Sequence, residues 1–71
     1  MNEIVMQLSV NGMNRELPEG TTVAQLIDEL ALDPRTLAVE CNLELVPRAQ
    51  HSLTQLRDGD RVEVVTLVGG G

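Results

Sequence analysis

The sequence contains no phenylalanine, tyrosine or tryptophan among its 71 residues. Its hydrophobic core must therefore be built from aliphatic side chains, and a chain of this length has room for one domain. Proteins that bind single-stranded nucleic acids usually stack the bases on aromatic rings, which this chain lacks. We therefore do not expect it to bind nucleic acids in that way.

Lysine is also absent, so the five positive side chains are all arginines, and they stand against eleven acidic residues. The formal net charge is −6. Nucleic-acid backbones repel an acidic protein, whereas a basic protein surface attracts it. We therefore expect no nucleic-acid partner. Without lysine, this protein cannot carry a lysine Schiff base, and its side chains cannot receive an isopeptide bond.

One cysteine, Cys41, is present, which excludes a framework of internal disulfide bonds. Residues 1–10 lack the basic region and the long apolar run that define a signal peptide. The chain also shows no apolar stretch of the length that a membrane-spanning helix needs. We therefore expect a cytoplasmic protein without a membrane partner.

Alternating apolar and polar residues predict several strands. The pattern places them at residues 4–10, 13–17, 37–42, 45–46 and 61–68. Asn11-Gly12, between the first two strands, tolerates the positive φ angles of a type I′ hairpin turn. Residues 49–56 have no clear pattern and are expected to contain an irregular turn, and residues 57–60 are typical of a turn.

One amphipathic helix is predicted after the first hairpin. Thr22 is a good N-terminal cap, and Gln25 three residues later completes a capping box. Apolar residues at helical spacing form one face of this helix, namely Val23, Leu26, Ile27 and Leu30. Because the residue before a proline avoids the helical region, we expect the helix to end at Asp33-Pro34 after about ten residues. One helix on the apolar face of a mixed sheet gives a two-layer α+β domain.

Few side chains could carry chemistry, and each has a simpler structural interpretation. His51, the sole histidine, has no cysteine or histidine neighbour at metal-ligand spacing, so we interpret it as a surface or loop residue. Cys41 falls on the apolar face of a predicted strand, where cysteine usually acts as a small hydrophobic residue. Asp58 and Asp60 are typical of a turn rich in aspartate and glycine. We therefore expect no catalytic residue and no metal site.

The sequence ends in three glycines, Gly69, Gly70 and Gly71. Such an ending is typical either of a frayed terminus or of a reactive handle. A carboxylate that must enter a narrow site in another enzyme needs a segment without side chains and with free backbone rotation, which glycine supplies. Taken alone, the three glycines favour the frayed terminus.

Short motifs in a fixed order extend over the chain from Met6 to Gly71. They are Leu8-Ser9-Val10-Asn11-Gly12, Thr21-Thr22-Val23 with Leu26 and Leu30, Ala38-Val39-Glu40-Cys41-Asn42, Val46-Pro47-Arg48, Asp58-Gly59-Asp60 and Val68-Gly69-Gly70-Gly71. In this order and spacing the chain resembles the sulfur-carrier family of thiamine biosynthesis, which is related to ubiquitin. It departs from the family at residues 1–5, which makes Met6 an alternative initiator, and at Leu43, where a polar residue or glycine is expected.

The resemblance implies a ubiquitin-like β-grasp fold, with a mixed sheet of four to five strands packed on one main helix. Residues 1–68 would form this single domain, and residues 69–71 a flexible glycine tail. On this view the carrier is not itself an enzyme and binds no cofactor. Gly71 carries the covalent chemistry, and Gly69 and Gly70 give its carboxylate clearance and reach.

The resemblance also implies a cycle with three partners. An adenylating enzyme of the ubiquitin-activating type uses MgATP to join AMP to the carboxylate of Gly71. A sulfur donor, such as a cysteine desulfurase, then displaces AMP and leaves a thiocarboxylate on Gly71. Thiazole synthase takes the sulfur from this thiocarboxylate for the thiazole ring of thiamine.

The predicted last strand also indicates a docking surface. If Val62 and Val64 face the helix, the two-residue period of a strand places Val65 and Leu67 on the opposite face. Together with Val68, they would form an apolar patch that suits a partner enzyme. The alternatives are a dimer contact or an ordinary exposed valine.

Two alternative functions stay open on the sequence. The same fold and glycine ending serve sulfur carriers for molybdopterin, cysteine or thio-tRNA synthesis. A β-grasp domain that only binds a partner, without chemistry, would also show this pattern. Such a binding module should tolerate the loss of Gly70 and Gly71, whereas a carrier should lose all activity.

Overall fold

The computed structural model describes residues 4–67 of the chain. Within this range it contains five strands, one α-helix and two short 3₁₀ turns. The strands are β1 (Val5–Val10), β2 (Met13–Pro18), β3 (Leu37–Cys41), β4 (Glu44–Val46) and β5 (Arg61–Thr66). The helix α1 is Val23–Glu29, and the 3₁₀ turns are Pro34–Thr36 and Arg48–Gln50.

The strands form one mixed sheet in the order β2-β1-β5-β3-β4. β1 and β5 run parallel at its centre, with Val10 opposite Val62. β2 pairs with β1, β3 with β5 and β4 with β3, all antiparallel. The first and last strands are therefore neighbours, and the last strand has a partner on each of its two edges.

The helix covers one face of the sheet, and aliphatic side chains fill the space between the two layers. The buried apolar residues are Met6, Leu8, Val10, Leu17, Val23, Leu26, Ile27, Leu37, Val39, Val46, Leu56, Val62 and Val64. Alternate positions in β1 and β5 belong to this core, as the two-residue period predicts. The predicted two-layer α+β domain, with a mixed sheet on one helix, is confirmed.

The helix begins where the sequence predicts. The side chain of Thr22 accepts a hydrogen bond from the backbone N–H of Gln25 at 3.2 Å. The side chain of Gln25 accepts one in return from the backbone N–H of Thr22 at 2.9 Å. This reciprocal pair is a complete capping box, and it satisfies two backbone donors that the first turn of a helix leaves free.

The helix ends earlier than predicted, at Glu29 rather than at Asp33-Pro34. Ala31 takes a left-handed conformation with φ 59°, which reverses the chain direction. Its N–H donates to Asp28 at 3.0 Å, and the next N–H donates to Ile27 at 3.2 Å. This pair of bonds is a Schellman motif. The prediction was wrong because glycine, the usual residue at this position, is replaced here by alanine.

The turn between β3 and β4 lies one residue earlier than predicted. Asn42 and Leu43 both have positive φ angles, of 54° and 71°. The two residues form the whole turn, so that β3 ends at Cys41 and β4 begins at Glu44, one residue before the predicted Leu45. Leu43 therefore occupies a conformation that favours glycine or asparagine over a branched aliphatic residue.

The other predicted strands differ from the structure only at their ends. β1 begins at Val5 rather than Ile4, and β2 includes Pro18. Proline is tolerated there because β2 is an edge strand, which needs no second hydrogen-bonded partner. β5 ends at Thr66, and Val68 from its predicted continuation lies outside the described residues.

Candidate functional site

The described part of the chain ends beside the sheet, directly after β5. The backbone N–H of Leu67 donates to the carbonyl oxygen of Thr36 at 2.6 Å, which ties the last described residue to the start of β3. The predicted site residues Val68, Gly69, Gly70 and Gly71 lie outside the described residues. Four fully extended residues span at most about 14 Å, so that distance is the limit of reach of the Gly71 carboxylate from Leu67.

The predicted docking residues that the structure describes lie on one face. Val62 and Val64 are buried against the helix, whereas Val65 and Leu67 are 52% and 54% exposed. The predicted alternation along β5 is therefore confirmed for Val62, Val64 and Val65, and Leu67, directly after the strand, is exposed as predicted. We call the side of the sheet away from the helix the outer face.

Apolar side chains continue across the outer face from β5 to β4. Val65 pairs with Ala38 on β3, and Leu45 on β4 is 64% exposed. Leu45 pairs with Glu40, which places both side chains on the outer face. A small exposed patch formed by Val65, Leu67, Ala38 and Leu45 is of the kind found at protein interfaces.

Two carboxylates lie directly opposite each other on the outer face. Glu40 on β3 pairs with Glu63 on β5. Glu63 also accepts a hydrogen bond from Nε of Arg61 at 3.3 Å. Like charges at directly opposed strand positions are unfavourable for the fold. The two carboxylates also give the border of the apolar patch a local excess of negative charge.

The C-terminal half of β5 depends on a side chain that the sequence analysis treated only as a turn residue. Asn11 follows the last residue of β1, and its backbone N–H donates to Val62 at 2.9 Å. Its side-chain oxygen accepts from the N–H of Val64 at 2.7 Å, and its Nδ2 donates to the Val64 carbonyl at 3.2 Å. No local pattern indicates this contact, because it depends on the pairing of strands at opposite ends of the chain.

The start of β5 is held in a related way by Asn42. The backbone N–H of Asn42 donates to Arg61 at 2.8 Å, and its side-chain oxygen accepts from the N–H of Arg61 at 2.9 Å. Its Nδ2 donates to Oδ1 of Asp60 at 3.0 Å. Asparagines in the two hairpin turns therefore contact the two ends of the strand that leads to the C-terminus.

Cys41 behaves as a structural residue. Its side chain packs against the core, and Sγ lies 3.6 Å from Oδ2 of Asp60. Burial, together with the nearby Asp60 carboxylate, raises the pKa of the Cys41 thiol to about 11. At neutral pH the thiol is therefore protonated and a poor nucleophile, in agreement with its interpretation as a small hydrophobic residue.

His51 is not a surface residue, and that part of its interpretation was wrong. It is only 4% exposed, and its Nε2 lies 3.1 Å from the carbonyl oxygen of Val46. Its own carbonyl accepts from the N–H of Ala24 at 2.9 Å, and the carbonyl of Thr54 accepts from the N–H of Val23 at the same distance. The unassigned segment 49–56 therefore satisfies backbone donors at the start of α1.

Asp58 and Asp60 shape the last turn, as their pattern predicts. Oδ1 of Asp58 accepts from the backbone N–H of Gln7 at 2.7 Å. Oδ2 of Asp60 accepts from the backbone N–H of Arg57 at 2.8 Å. Within residues 4–67, histidine, cysteine and acidic side chains do not gather in groups of three or more that could hold a metal ion. Among the same residues, no helix has the length and apolar character needed to cross a membrane.

The mixed sheet on one helix, followed by a C-terminal run of glycines, defines a ubiquitin-like β-grasp domain with a glycine ending. The fold is similar to that of a thiamine biosynthesis protein, ThiS, from Geobacter metallireducens. Its crystal structure superposes with a TM-score of 0.81 at 33% sequence identity, over 93% of this chain and 100% of that one. The ThiS family model matches residues 6–71. The chain therefore belongs to the ThiS family.

Two of the relatives differ in length. The sulfur carrier protein ThiS of Thermus thermophilus is 39% identical over 62 residues, which are 87% of this chain and 95% of that protein. A thiazole synthase of Paramagnetospirillum magneticum is 42% identical over 66 residues, which are 93% of this chain but 20% of that protein. The chain thus spans about a fifth of the length of this second relative.

Proposed function

We propose that this chain is a sulfur carrier of thiamine biosynthesis and that the carboxylate of Gly71 is the group that carries the sulfur. The family match carries this proposal, because it extends through Gly71 itself. The side-chain inventory supports it. The one thiol has a pKa of about 11, and the described residues hold no cluster that could bind a metal ion. In this proposal, partner enzymes supply the catalysis.

The chemistry at Gly71 needs activation because a free carboxylate is a poor acyl donor. In the proposed first step, a carboxylate oxygen attacks the α-phosphorus of ATP in the adenylating partner, and pyrophosphate leaves. In the second step, a sulfur nucleophile at the oxidation level of hydrosulfide attacks the acyl carbon, and AMP leaves. The product is a thiocarboxylate on Gly71. MgATP belongs to the partner in this scheme, and the carrier binds no cofactor of its own.

The three glycines suit this role by their physical properties. Gly69, Gly70 and Gly71 carry no side chains that could obstruct a narrow active site. Ordering three such residues costs on the order of 3–6 kcal/mol, which favours transient engagement over permanent docking. A carrier that must visit an activating enzyme, a sulfur donor and an acceptor in turn benefits from such weak engagement.

The outer face is the proposed docking surface for the adenylating partner. Val65 and Leu67 are exposed there, and Val68 follows directly in the sequence. A partner that covers this patch would lie beside the point where the chain leaves the sheet, with Gly71 within about 14 Å of Leu67. The net charge of −6 favours a partner with a basic surface.

Thiazole synthase is the proposed acceptor of the sulfur. A segment similar to this chain forms part of proteins named thiazole synthase in Paramagnetospirillum magneticum and Magnetococcus marinus. That similarity favours thiamine over the molybdopterin, cysteine and thio-tRNA pathways. A cysteine desulfurase is the proposed sulfur source, and a thiol reductant supplies the two electrons that bring its persulfide sulfur to the level of hydrosulfide. We place the cycle in the cytoplasm with these partners.

Truncation of the terminus tests the carrier function against a binding module. The chain lacking Gly70-Gly71 should still bind the adenylating partner through the outer face, but it should not support ATP–pyrophosphate exchange. The matched control is the full chain with Gly69→Ala, which keeps the terminal carboxylate in place. If the truncated chain supports exchange as well as the full chain, Gly71 is not the reacting residue and the proposal is wrong.

A further inference from the structure

Each of the two hairpin turns of the sheet contains an asparagine in a left-handed backbone conformation. The two asparagines contact different parts of β5. Asn11 has φ 52° and Asn42 has φ 54°. The side chain of Asn42 bonds to the backbone of Arg61, the first residue of β5. The side chain of Asn11 bonds to the backbone of Val64, in the half of the strand that leads to the C-terminus.

The side chain of Asn11 occupies the place that the backbone of a longer β1 would take beside β5. β1 ends at Val10, and the chain turns away into β2, whereas β5 continues past that point to Thr66. The side-chain amide of Asn11 accepts one hydrogen bond from Val64 and donates another, as a peptide group of a longer β1 would do. Val64 is 9% exposed, so water has little access to replace these bonds.

The opposite edge of the same segment is held by β3. Leu37 pairs with Thr66, and the carbonyl of Thr36 accepts from the N–H of Leu67. The segment 64–67 is therefore fixed on one edge by strand pairing and on the other edge by a single side chain. The outward-facing Val65 lies within this segment.

We propose that Asn11 is a positioning residue for the charging of the carrier, because it holds in place the segment 64–67, from which the sequence continues to Gly71. This inference rests on the proposed function, since the seven residues that follow Val64 end in Gly71. Without the side chain of Asn11, the end of β5 opens part of the time. The adenylating partner then finds the docking face and the terminus correctly placed in only a fraction of the molecules.

The expected kinetic signature is a change only in the KM of the adenylating partner for the carrier. When only a fraction of a ligand is in the binding-competent state, its apparent affinity falls by that fraction. Gly71 and the catalytic groups of the partner are unchanged once the complex has formed, so kcat should be unaffected. A carrier that is competent one tenth of the time would show an increase in KM of about tenfold.

The experiment compares Asn11→Gly with Asn42→Gly. Glycine accepts the positive φ of either turn, so both variants keep the turn and lose the side-chain bonds to β5. Asn42→Gly also loses the bond from Nδ2 to Asp60. ATP–pyrophosphate exchange is measured with the adenylating partner at a temperature where both variants are folded. We expect a KM about tenfold higher for Asn11→Gly with kcat within about twofold of the wild type, and both parameters within about twofold for Asn42→Gly.

Amide hydrogen exchange gives a second readout that does not require the partner. Asn11→Gly should accelerate exchange at the amides of Val64 and Leu67, and Asn42→Gly should accelerate it at Arg61. Asn11→Asp keeps an oxygen that can accept from Val64, so it should restore part of the protection at that amide. If Asn11→Gly does not fold, Asn11→Asp is used for both readouts, and smaller changes in the same direction are expected, because it loses the bond from Nδ2 to the Val64 carbonyl.

Three results would overturn the inference. The first is wild-type KM for the Asn11 variant, and the second is an equal increase in KM for the Asn42 variant, which would indicate general destabilisation. The third is unchanged exchange at Val64 and Leu67. A wild-type chain that is not adenylated contradicts the proposed function instead, and hydrogen exchange at these two amides then decides whether Asn11 holds the segment.

Discussion

The N–H of Leu67 donates a hydrogen bond of 2.6 Å to the carbonyl oxygen of Thr36, so the residue after β5 is tied to the residue before β3. The side chain of Leu67 is nevertheless 54% exposed. An apolar side chain on a fixed backbone can act as a rigid contact for a partner, with little entropy lost on binding.

Leu67→Asp should weaken the complex with the adenylating enzyme, because it places a charge in the centre of an apolar contact. We expect a loss of affinity of about 2 kcal/mol or more if Leu67 is a central contact. The measurement is titration calorimetry with the adenylating enzyme. Leu53→Asp is the matched control, since Leu53 is 78% exposed and lies in the segment beside the start of α1. Equal affinities for the two variants would contradict the assignment of the outer face as the docking surface.

Leu43→Gly should stabilise the protein. Leu43 has φ 71° and is 78% exposed, so the substitution relieves backbone strain and removes little buried surface. The left-handed conformation costs an L-residue about 1–2 kcal/mol, and the greater freedom of glycine in the unfolded chain offsets about half of that. We expect a gain of roughly 0.5–1 kcal/mol in urea unfolding.

Two further substitutions check the sign of this backbone effect. Ala31→Gly, at φ 59° in the Schellman motif, should also stabilise the protein in the same measurement. Gly20→Ala, at φ 93°, should destabilise it. Destabilisation by Leu43→Gly would show that its side chain contributes packing or that the turn differs from the one described.

Glu40→Gln should stabilise the protein by a few tenths of a kcal/mol at low salt. It removes one of two like charges that face each other across β3 and β5, while the bond between Arg61 and Glu63 is kept. The gain should largely disappear in about 1 M salt, where the screening length is about 3 Å. Thermal unfolding at the two salt concentrations measures it. Glu16→Gln is the control, since Glu16 faces the neutral Gln7, and a larger gain there would contradict the pairing.

Cys41 should be alkylated slowly in the folded protein. Its pKa is raised from 9.0 to about 11, so the thiolate fraction at pH 8 is roughly 100-fold lower than in the unfolded chain. Iodoacetamide labelling followed by intact mass, in buffer and in urea, compares the two rates. Similar rates in both conditions would mean that the thiol is neither shielded nor influenced by Asp60.

The same pKa shift predicts a loss of stability at high pH. The folded state holds the Cys41 proton more tightly than the unfolded state, so its contribution is fully present below pH 9. Stability should fall as the pH rises from about 9 to about 11, and Cys41→Ala should lack this component of the pH dependence. An identical decline in both proteins would assign the effect to other groups.

Local sequence patterns were sufficient to predict the strands, the start of the helix and the buried face of each. The alternation of Val62, Val64, Val65 and Leu67 predicted which side chains are buried, and Thr22 with Gln25 predicted the start of the helix. Both features depend on neighbours within a few residues. Short stretches of sequence are therefore sufficient to predict their geometry.

Features that depend on distant neighbours could not be predicted in this way. The bonds of Asn11 to Val64 join residues 53 positions apart, and they require the parallel pairing of β1 with β5. The burial of His51 depends on the carbonyl of Val46 and on the start of the helix. The end of the helix was misplaced because alanine at position 31 gives no sequence signal for a left-handed residue.

The most direct test of the account is the intact mass of the protein after incubation with its adenylating enzyme, MgATP and sulfide. We predict a product in which one oxygen is replaced by sulfur, and an AMP adduct when sulfide is omitted. Neither should form on a chain that lacks Gly71. An unchanged mass, with an adenylating enzyme that charges another carrier of the ThiS family in parallel, would contradict the assignment of Gly71 as the sulfur-carrying residue.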